Sequence, residues 1–345
     1  MLLIVSPRRL MIFIPSRVSD CNKNGAVFVC SATWRSIGWY VDRPRCCRIG
    51  DRPMMQREFG QNGAALPVLG LGCSRIGSLG NRVPMREIRA LLERALDLGV
   101  NLLDTANIYG QGDSEREIGR LLAGRRDRAF VVTKVGKRFS RKMRLMRPLK
   151  PLLKPLLATK SAKSAVVGQR DANLATDFSP EHITAAAEDS LRRLNFDSVD
   201  ALLLHSPSAT EITPAAGDAL AALKKAGKVR HFGISCDDLP ALKAALEIPG
   251  VELLELPLDV IDAAIEMRLS DVIRKRSIGV LAREVIRLQP GVPASRALQQ
   301  AASRAPVTSV ILGTSSVGHL EEAVSVLAGT GRAGQGSSMS ATTGR

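Results

Sequence analysis

Four acid–base side chains stand where a parallel α/β chain would place chemistry. Asp104 closes the apolar stretch Val100–Asp104, Lys134 lies near the end of Ala129–Val135, and His205 ends Val199–His205. Tyr109 follows Asp104 by five residues, in the loop beyond it. Each has an ordinary explanation. An Asp at a strand end often caps a helix or turn. A His in an apolar strand is commonly a satisfied core residue, and a loop Tyr is unremarkable. The lysine is harder to dismiss, because a buried ammonium needs a partner. If these strand ends share one mouth, a carboxylate, a phenol, an ammonium and an imidazole converge there.

The flanking pattern says what must hold them. Arg57–Leu71 carries Asn62-Gly63 between Phe59 and Leu66, which predicts a short hairpin. Val68–Gly72 reads as a first buried strand. Ile88, Leu91, Leu92, Ala95 and Leu96 recur at helical spacing within Pro84–Leu98, and Gly99 is placed to end that helix. Ser114–Ala123 predicts the second helix. After Ala129–Val135, Ser179-Pro180-Glu181 opens a helix running to about Asn195. Then follow strand 199–205, helix 214–226, strand 229–235, helix 239–247, strand 251–256, helix 261–276, strand 278–282, helix 295–303, strand 307–312 and helix 317–328. Regular strand–helix alternation implies a parallel sheet covered by helices. Eight units over about 270 residues fit a closed (β/α)8 TIM barrel, an α/β fold with the site at the C-terminal ends of its strands. An open doubly wound sheet usually carries G-x-G-x-x-G after its first strand. Gly70, Gly72 and Gly77 do not match that spacing.

The 345-residue chain carries a formal charge of +16, located in two segments. Residues 1–52 hold nine Lys/Arg against three Asp/Glu, and residues 138–170 hold ten Lys/Arg and no acid. These account for the whole excess, so the barrel body is neutral and no nucleic-acid partner is expected. Cys21, Cys30, Cys46 and Cys47 also fall in the first segment, without metal-ligand spacing. No metal site is expected. Cys73 and Cys236 stand alone in the body, which reads as reduced and cytoplasmic. No apolar run approaches the roughly 20 residues of a membrane span. The expected organisation is a basic, Cys-rich extension at 1–53, outside the folded body, with Met54 or Met55 a more natural start. A single barrel at 54–329 and a disordered Gly/Ser/Thr-rich tail at 330–345 follow.

Several blocks together resemble the aldo-keto reductase family. They are Asp104-Thr-Ala-Asn-Ile-Tyr109-Gly110, Ser114-Glu115-Arg-Glu-Ile-Gly119, Val132-Thr-Lys134, Leu203-Leu-His205, Gly227-Lys-Val-Arg-His-Phe-Gly233-Ile-Ser235 and Ser309-Val-Ile-Leu-Gly313, with His319-Leu-Glu-Glu322 beyond. The similarity runs over about residues 57–328, in order and at family spacing. It implies a catalytic tetrad of Asp104, Tyr109, Lys134 and His205. The implied reaction moves a hydride between a nicotinamide cofactor and a carbonyl carbon, with Tyr109 exchanging the proton on oxygen. Lys134 would stabilise the phenolate, Asp104 would hold Lys134, and His205 would orient the substrate oxygen. Tyr40 and Tyr109 are the chain's two tyrosines, so Tyr109 is the barrel's single phenol.

The cofactor side departs from the family pattern. The usual Ser-Asn after the fifth strand is Ser235-Cys236. The usual Gln and stacking aromatic after the sixth are Glu255 and Leu258. Gly313 and His319 stand where a Lys and an Arg commonly grip the 2′-phosphate. Gly313, Thr314 and Ser315, just ahead of a helix, still suit phosphate through backbone N–H groups, with Glu322 a further candidate contact. The expected cofactor is NADP(H) ahead of NAD(H). The implied function is interconversion of an aldehyde, ketone or sugar with its alcohol. The alternative is a catalytically weak barrel serving as a cofactor-binding regulatory or partner-binding subunit. The basic insertion at 138–178 follows the third strand, at the mouth. It reads as a solvated loop, a lid drawing anionic substrates, or a membrane-surface contact.

Overall fold

The computed structural model describes residues 54–78, 83–139 and 174–328, together with the backbone of residues 3–6 and 9–12. The expected tail, most of the extension and the insertion between Phe139 and Leu174 lie outside the described residues. Met1–Cys46 forms one unit and Cys47–Arg345 another. In the first, β1 (Leu3–Ser6) and β2 (Arg9–Ile12) pair antiparallel.

The second unit opens with a hairpin of β3 (Gln56–Phe59) and β4 (Ala64–Pro67), turning at Asn62-Gly63 as the sequence predicts. Eight parallel strands then close a barrel: β5 (Leu69–Gly72), β6 (Leu102–Asp104), β7 (Phe130–Val135), β10 (Val199–His205), β11 (Val229–Ser235), β12 (Leu253–Pro257), β13 (Gly279–Arg283) and β14 (Ser309–Leu312). Closure is made by β14 on β5, with Val310 opposite Leu69 and Leu312 opposite Leu71. The covering helices are α1 (Met85–Asp97), α2 (Asp113–Leu121), α3 (Pro180–Leu194), α4 (Pro214–Lys225), α5 (Leu239–Glu247), α6 (Leu258–Glu266), α7 (Leu269–Lys275), α8 (Ala294–Ser303) and α9 (Val317–Ala328). Ser179 caps α3 by accepting from the His182 N–H at 3.3 Å, and Thr213 and Asp238 do the same for α4 and α5.

Two features differ from the sequence reading. The helix expected over 261–276 is two helices, because Arg268 turns left-handed (φ +59°) between α6 and α7. The insertion leaves the body on a ribbon. Its flanks β8 (Lys137–Phe139) and β9 (Leu174–Thr176) pair antiparallel, with Lys137 opposite Thr176.

The barrel interior is filled from below. Phe59 and Leu66 of the hairpin join Leu102, Val132, Ala201, Leu203, Leu253, Leu281 and Ile311 in one apolar cluster. Gly279 is needed there, since a Cβ on it would stand 3.0 Å from the Cβ of Phe59. Side chains alternate faces along a strand, so residues two further on face the same interior one layer higher. Stepping two residues from Leu102, Val132, Leu203, Leu253, Leu281 and Ile311 reaches Asp104, Lys134, His205, Glu255, Arg283 and Gly313. The polar layer therefore sits directly on the apolar plug, at the C-terminal mouth.

Candidate active site

Strand pairing fixes the rows of this layer. His205 is opposite Ser235, and Ser235 is opposite Glu255. Lys134 is opposite Leu203, and Asp104 is opposite Val132. Asp104, Lys134, His205, Ser235 and Glu255 are all buried.

Lys134 is the centre of the arrangement. Its side chain is 1% exposed, and its Nζ donates to Asp104 Oδ1 and, at 3.3 Å, to the carbonyl of Thr105. Glu255 Oε2 lies 3.0 Å from the same Nζ. Burying an ammonium is unfavourable by several kcal/mol unless paired, and here two carboxylates flank it. Burial alone would depress the lysine pKa; Asp104 and Glu255 outweigh it, so the amine stays protonated far above neutrality. The Asp104 carboxyl is pushed up to about 7 by burial and by the neighbouring charge of Glu255, against the pull of Lys134.

Tyr109 is set by its loop. Thr105 and Asn107 donate their N–H groups to the carbonyls of Val132 and Lys134, tying the loop to β7. Gly110 follows with φ +58°, and a Cβ there would overlap the carbonyl oxygen of Ile76 and stand 2.9 Å from the Cα of Gly77. Only glycine fits that close approach. The phenol ring lies edge-on to His205, centroids 5.7 Å apart and planes at 87°. Lys134 Nζ is 5.3 Å from the ring centroid. Burial raises the phenol above its ordinary range, Lys134 lowers it, and Asp104 and Glu255 raise it. His205 is held well below its usual pKa by burial and by Lys134, Lys137 and Arg283, so its imidazole is neutral. Its buried Nδ1 has no hydrogen-bond partner.

The predicted tetrad is thus brought together at one mouth. The predicted cofactor residues divide. Ser235 and Glu255 join the mouth, while Cys236 and Leu258 pack in the apolar layer between barrel and helices. Cys236 Sγ points back toward the carbonyl of Ile234, at 4.0 Å. Gly313 is exposed, with nothing within 4 Å of where a Cβ would stand. Thr314 Oγ1 accepts from the Ser316 N–H at 3.1 Å, and Ser316 Oγ accepts from the His319 N–H at 3.4 Å. His319 and Glu322 are exposed on α9, and Ser315 is partly buried in the turn before it. The open turn at Gly313, the unpartnered His205 Nδ1 and the buried Ser235 hydroxyl fit a polar ligand spanning β10, β11 and β14.

The sequence reading missed Arg283 and Asp237. Arg283 ends β13, with its Nε 3.7 Å from Glu255 Oε1, and it also pairs with Asp237 and, at 3.0 Å, with Glu284. The strand expected from the sequence ends at Ala282, one residue short. Beside the mouth, a cavity of about 490 Å³ is lined by Asn107, Gln111, Lys137, Phe139, His182 and Arg193 among others; none of the tetrad lines it.

The comparisons with known proteins bear on the barrel as a whole. The model of the aldo/keto reductase family matches residues 68–289. The chain belongs to that family, and it spans about half the length of the first curated relative it matches. It is 33% identical over 196 residues to D-threo-aldose 1-dehydrogenase of a Pseudomonas species, covering 56% of this chain and 56% of that protein. It is 27% identical to pyridoxal 4-dehydrogenase of Microbacterium luteolum, covering 66% of this chain and 69% of that protein. A solved structure assigned to the aldo-keto reductases, from Pseudomonas aeruginosa, superposes with a TM-score of 0.62 at 27% identity, over 79% of this chain and 94% of that one.

Proposed function

We propose that the chain interconverts a small aldehyde, ketone or sugar with its alcohol, using a nicotinamide cofactor and Tyr109 as the proton carrier. The observation that carries this reading is the charged, buried Lys134, pinned by Asp104 and set 5.3 Å from the Tyr109 ring. A phenol surrenders its proton reluctantly at neutral pH, and an adjacent ammonium stabilises the phenolate left behind. A bound nicotinamide cofactor would supply the hydride to the carbonyl carbon, or accept it in the reverse direction. As the oxygen gains negative charge, the Tyr109 O–H gives it a proton, and Lys134 faces the phenolate that results. His205, neutral, orients the oxygen by donating a hydrogen bond. Positioned proton transfer of this kind contributes roughly 10²–10⁴-fold.

Ser235 and Glu255 would line the nicotinamide end of the cofactor. Gly313, Thr314, Ser315, His319 and Glu322 would line the phosphate end, with Cys236 and Leu258 backing the mouth from behind. Among these residues no Lys or Arg is present. NADP(H) is assigned ahead of NAD(H), held by N–H and hydroxyl donors. The curated relatives named for an aldose and for pyridoxal support a small polar carbonyl or sugar substrate.

The test is Tyr109→Phe. Carbonyl reduction is expected to disappear while NADPH binding, followed by cofactor fluorescence, persists. Retained turnover in that variant rules the mechanism out.

A further inference from the structure

Lys134 has two carboxylate partners, and the second has a connection of its own. Glu255 reaches across the mouth from β12 to β7, with Oε2 3.0 Å from Lys134 Nζ. Its other oxygen, Oε1, lies 3.7 Å from Arg283 Nε, and Arg283 is anchored in turn by Asp237 and Glu284. Its side chain is 3% exposed. Glu255 Oε2 is within ion-pair distance of Lys134 Nζ but makes no hydrogen bond, so charge attraction to the two cations is what orients this buried carboxylate. Both of its oxygens are therefore turned toward Lys134 and Arg283.

We propose that Glu255 is a positioning residue, a second counter-ion of Lys134 that shares the ammonium with Asp104 and so restrains ionisation of the Tyr109 phenol. This deepens the reductase reading and rests on it for its catalytic consequence. The pairing itself needs no cofactor.

The charge balance gives the effect its sign. An ammonium with one carboxylate leaves residual positive potential for a phenolate. An ammonium between two carboxylates leaves little, and the phenolate must form beside a net negative pair. The groups facing this cluster are Cys73 from the end of β5, Tyr109 from its loop, His205 from β10 and Arg283 from β13. His205 is neutral and Cys73 is a buried thiol raised by its burial and by Asp104. Arg283 is the remaining cation, and it is shared with Asp237 and Glu284. Consistently, Glu255 acts on both neighbours in one direction, raising Asp104 and raising Tyr109. A phenol is already protonated at neutral pH, so the restraint adds nothing to the form that reduction starts from; it disfavours the phenolate that reduction leaves behind. It opposes alcohol oxidation, which needs the phenolate as base.

The experiment uses the cofactor-free full chain carrying Tyr40→Phe, which leaves Tyr109 as its one phenol. Phenolate absorbance is followed as pH is raised, in this background and with Glu255→Gln added. Glu255→Gln is expected to give about tenfold more phenolate at a fixed alkaline pH. Infrared difference spectra should also show the Asp104 carboxyl titrating near neutral pH, and at a lower pH once Glu255→Gln is added. Unchanged or reduced phenolate in a folded Glu255→Gln chain overturns the proposal. Asp104→Asn is the second variant. Glu255 still partners Lys134 in it, so the two substitutions must be non-additive. Together they should lower the Lys134-dependent reduction rate by more than about fivefold beyond the product of the single effects. Additive effects also overturn it. A wild-type chain inactive on every carbonyl tried counts against the reductase reading, and the phenol titration then decides the Lys134–Glu255 pairing by itself.

Discussion

His205 meets Tyr109 edge to face, with ring centroids 5.7 Å apart and planes at 87°. The contact places the imidazole beside the phenol in a mouth where Lys134 is a buried cation. A charged imidazole there would face Lys134, Lys137 and Arg283 at close range. Burial and the three nearby cations keep the imidazole neutral, so in the proposed reaction it would act as a hydrogen-bond donor and not as an acid.

That neutrality predicts a pH signature. The folded-state pKa of His205 is depressed below its unfolded value of 6.5. As pH falls below about 6.5, the unfolded chain binds a proton that the folded imidazole refuses, so stability declines toward acid. His205→Gln removes this linkage. Urea denaturation at about pH 5 and about pH 8 should show a smaller acid loss in His205→Gln than in the native chain. Equal slopes would mean that the imidazole is charged in the folded state. Gln also retains a donor, so His205→Gln should keep more reductase turnover than His205→Leu.

Gly110 carries the second prediction. Its φ is +58°, and a Cβ on it would collide with the Ile76 carbonyl oxygen and crowd the Gly77 Cα at 2.9 Å, so no side chain fits. Gly110→Ala must push the loop away from Ile76 and carry Tyr109 with it. A displacement of about 1 Å at a reacting group can cost on the order of 100-fold in rate. Steady-state kinetics should show that loss mainly in kcat, with stability reduced by about 1–3 kcal/mol of backbone strain. Native kcat in Gly110→Ala would show that the glycine does not set the phenol.

Much of this site is legible in the residue order alone. Asp104 and His205 each end an apolar run and Lys134 stands one residue before the end of its own, so the strand ends place all three at the barrel mouth. The pairing of Lys134 with Asp104 follows from adjacent strands. Glu255 stands out as a departure, but its partner does not, because β7 and β12 meet across the barrel and no local pattern records that contact. Arg283 is lost to a strand drawn one residue short. The break between α6 and α7 is also hidden, since Arg268 turns left-handed without a glycine or proline to mark it. The β8–β9 ribbon escapes because three-residue strands far apart in sequence leave no periodic trace.

The open turn at Gly313 gives the last prediction. His319 is exposed in the first turn of α9, beyond the open turn at Gly313. A guanidinium offers two parallel donors to a phosphate, which an imidazole cannot match. If the 2′-phosphate of NADPH docks at this turn, His319→Arg should tighten NADPH binding by about 10–100-fold, the range for a hydrogen bond to a charged group. NADH lacks that phosphate and should bind as before. Fluorescence titrations of both cofactors at one fixed ionic strength make the comparison, because exposed charges are screened by salt. Equal gains for both cofactors would reflect general attraction to the diphosphate. No gain for either would place the phosphate end away from α9.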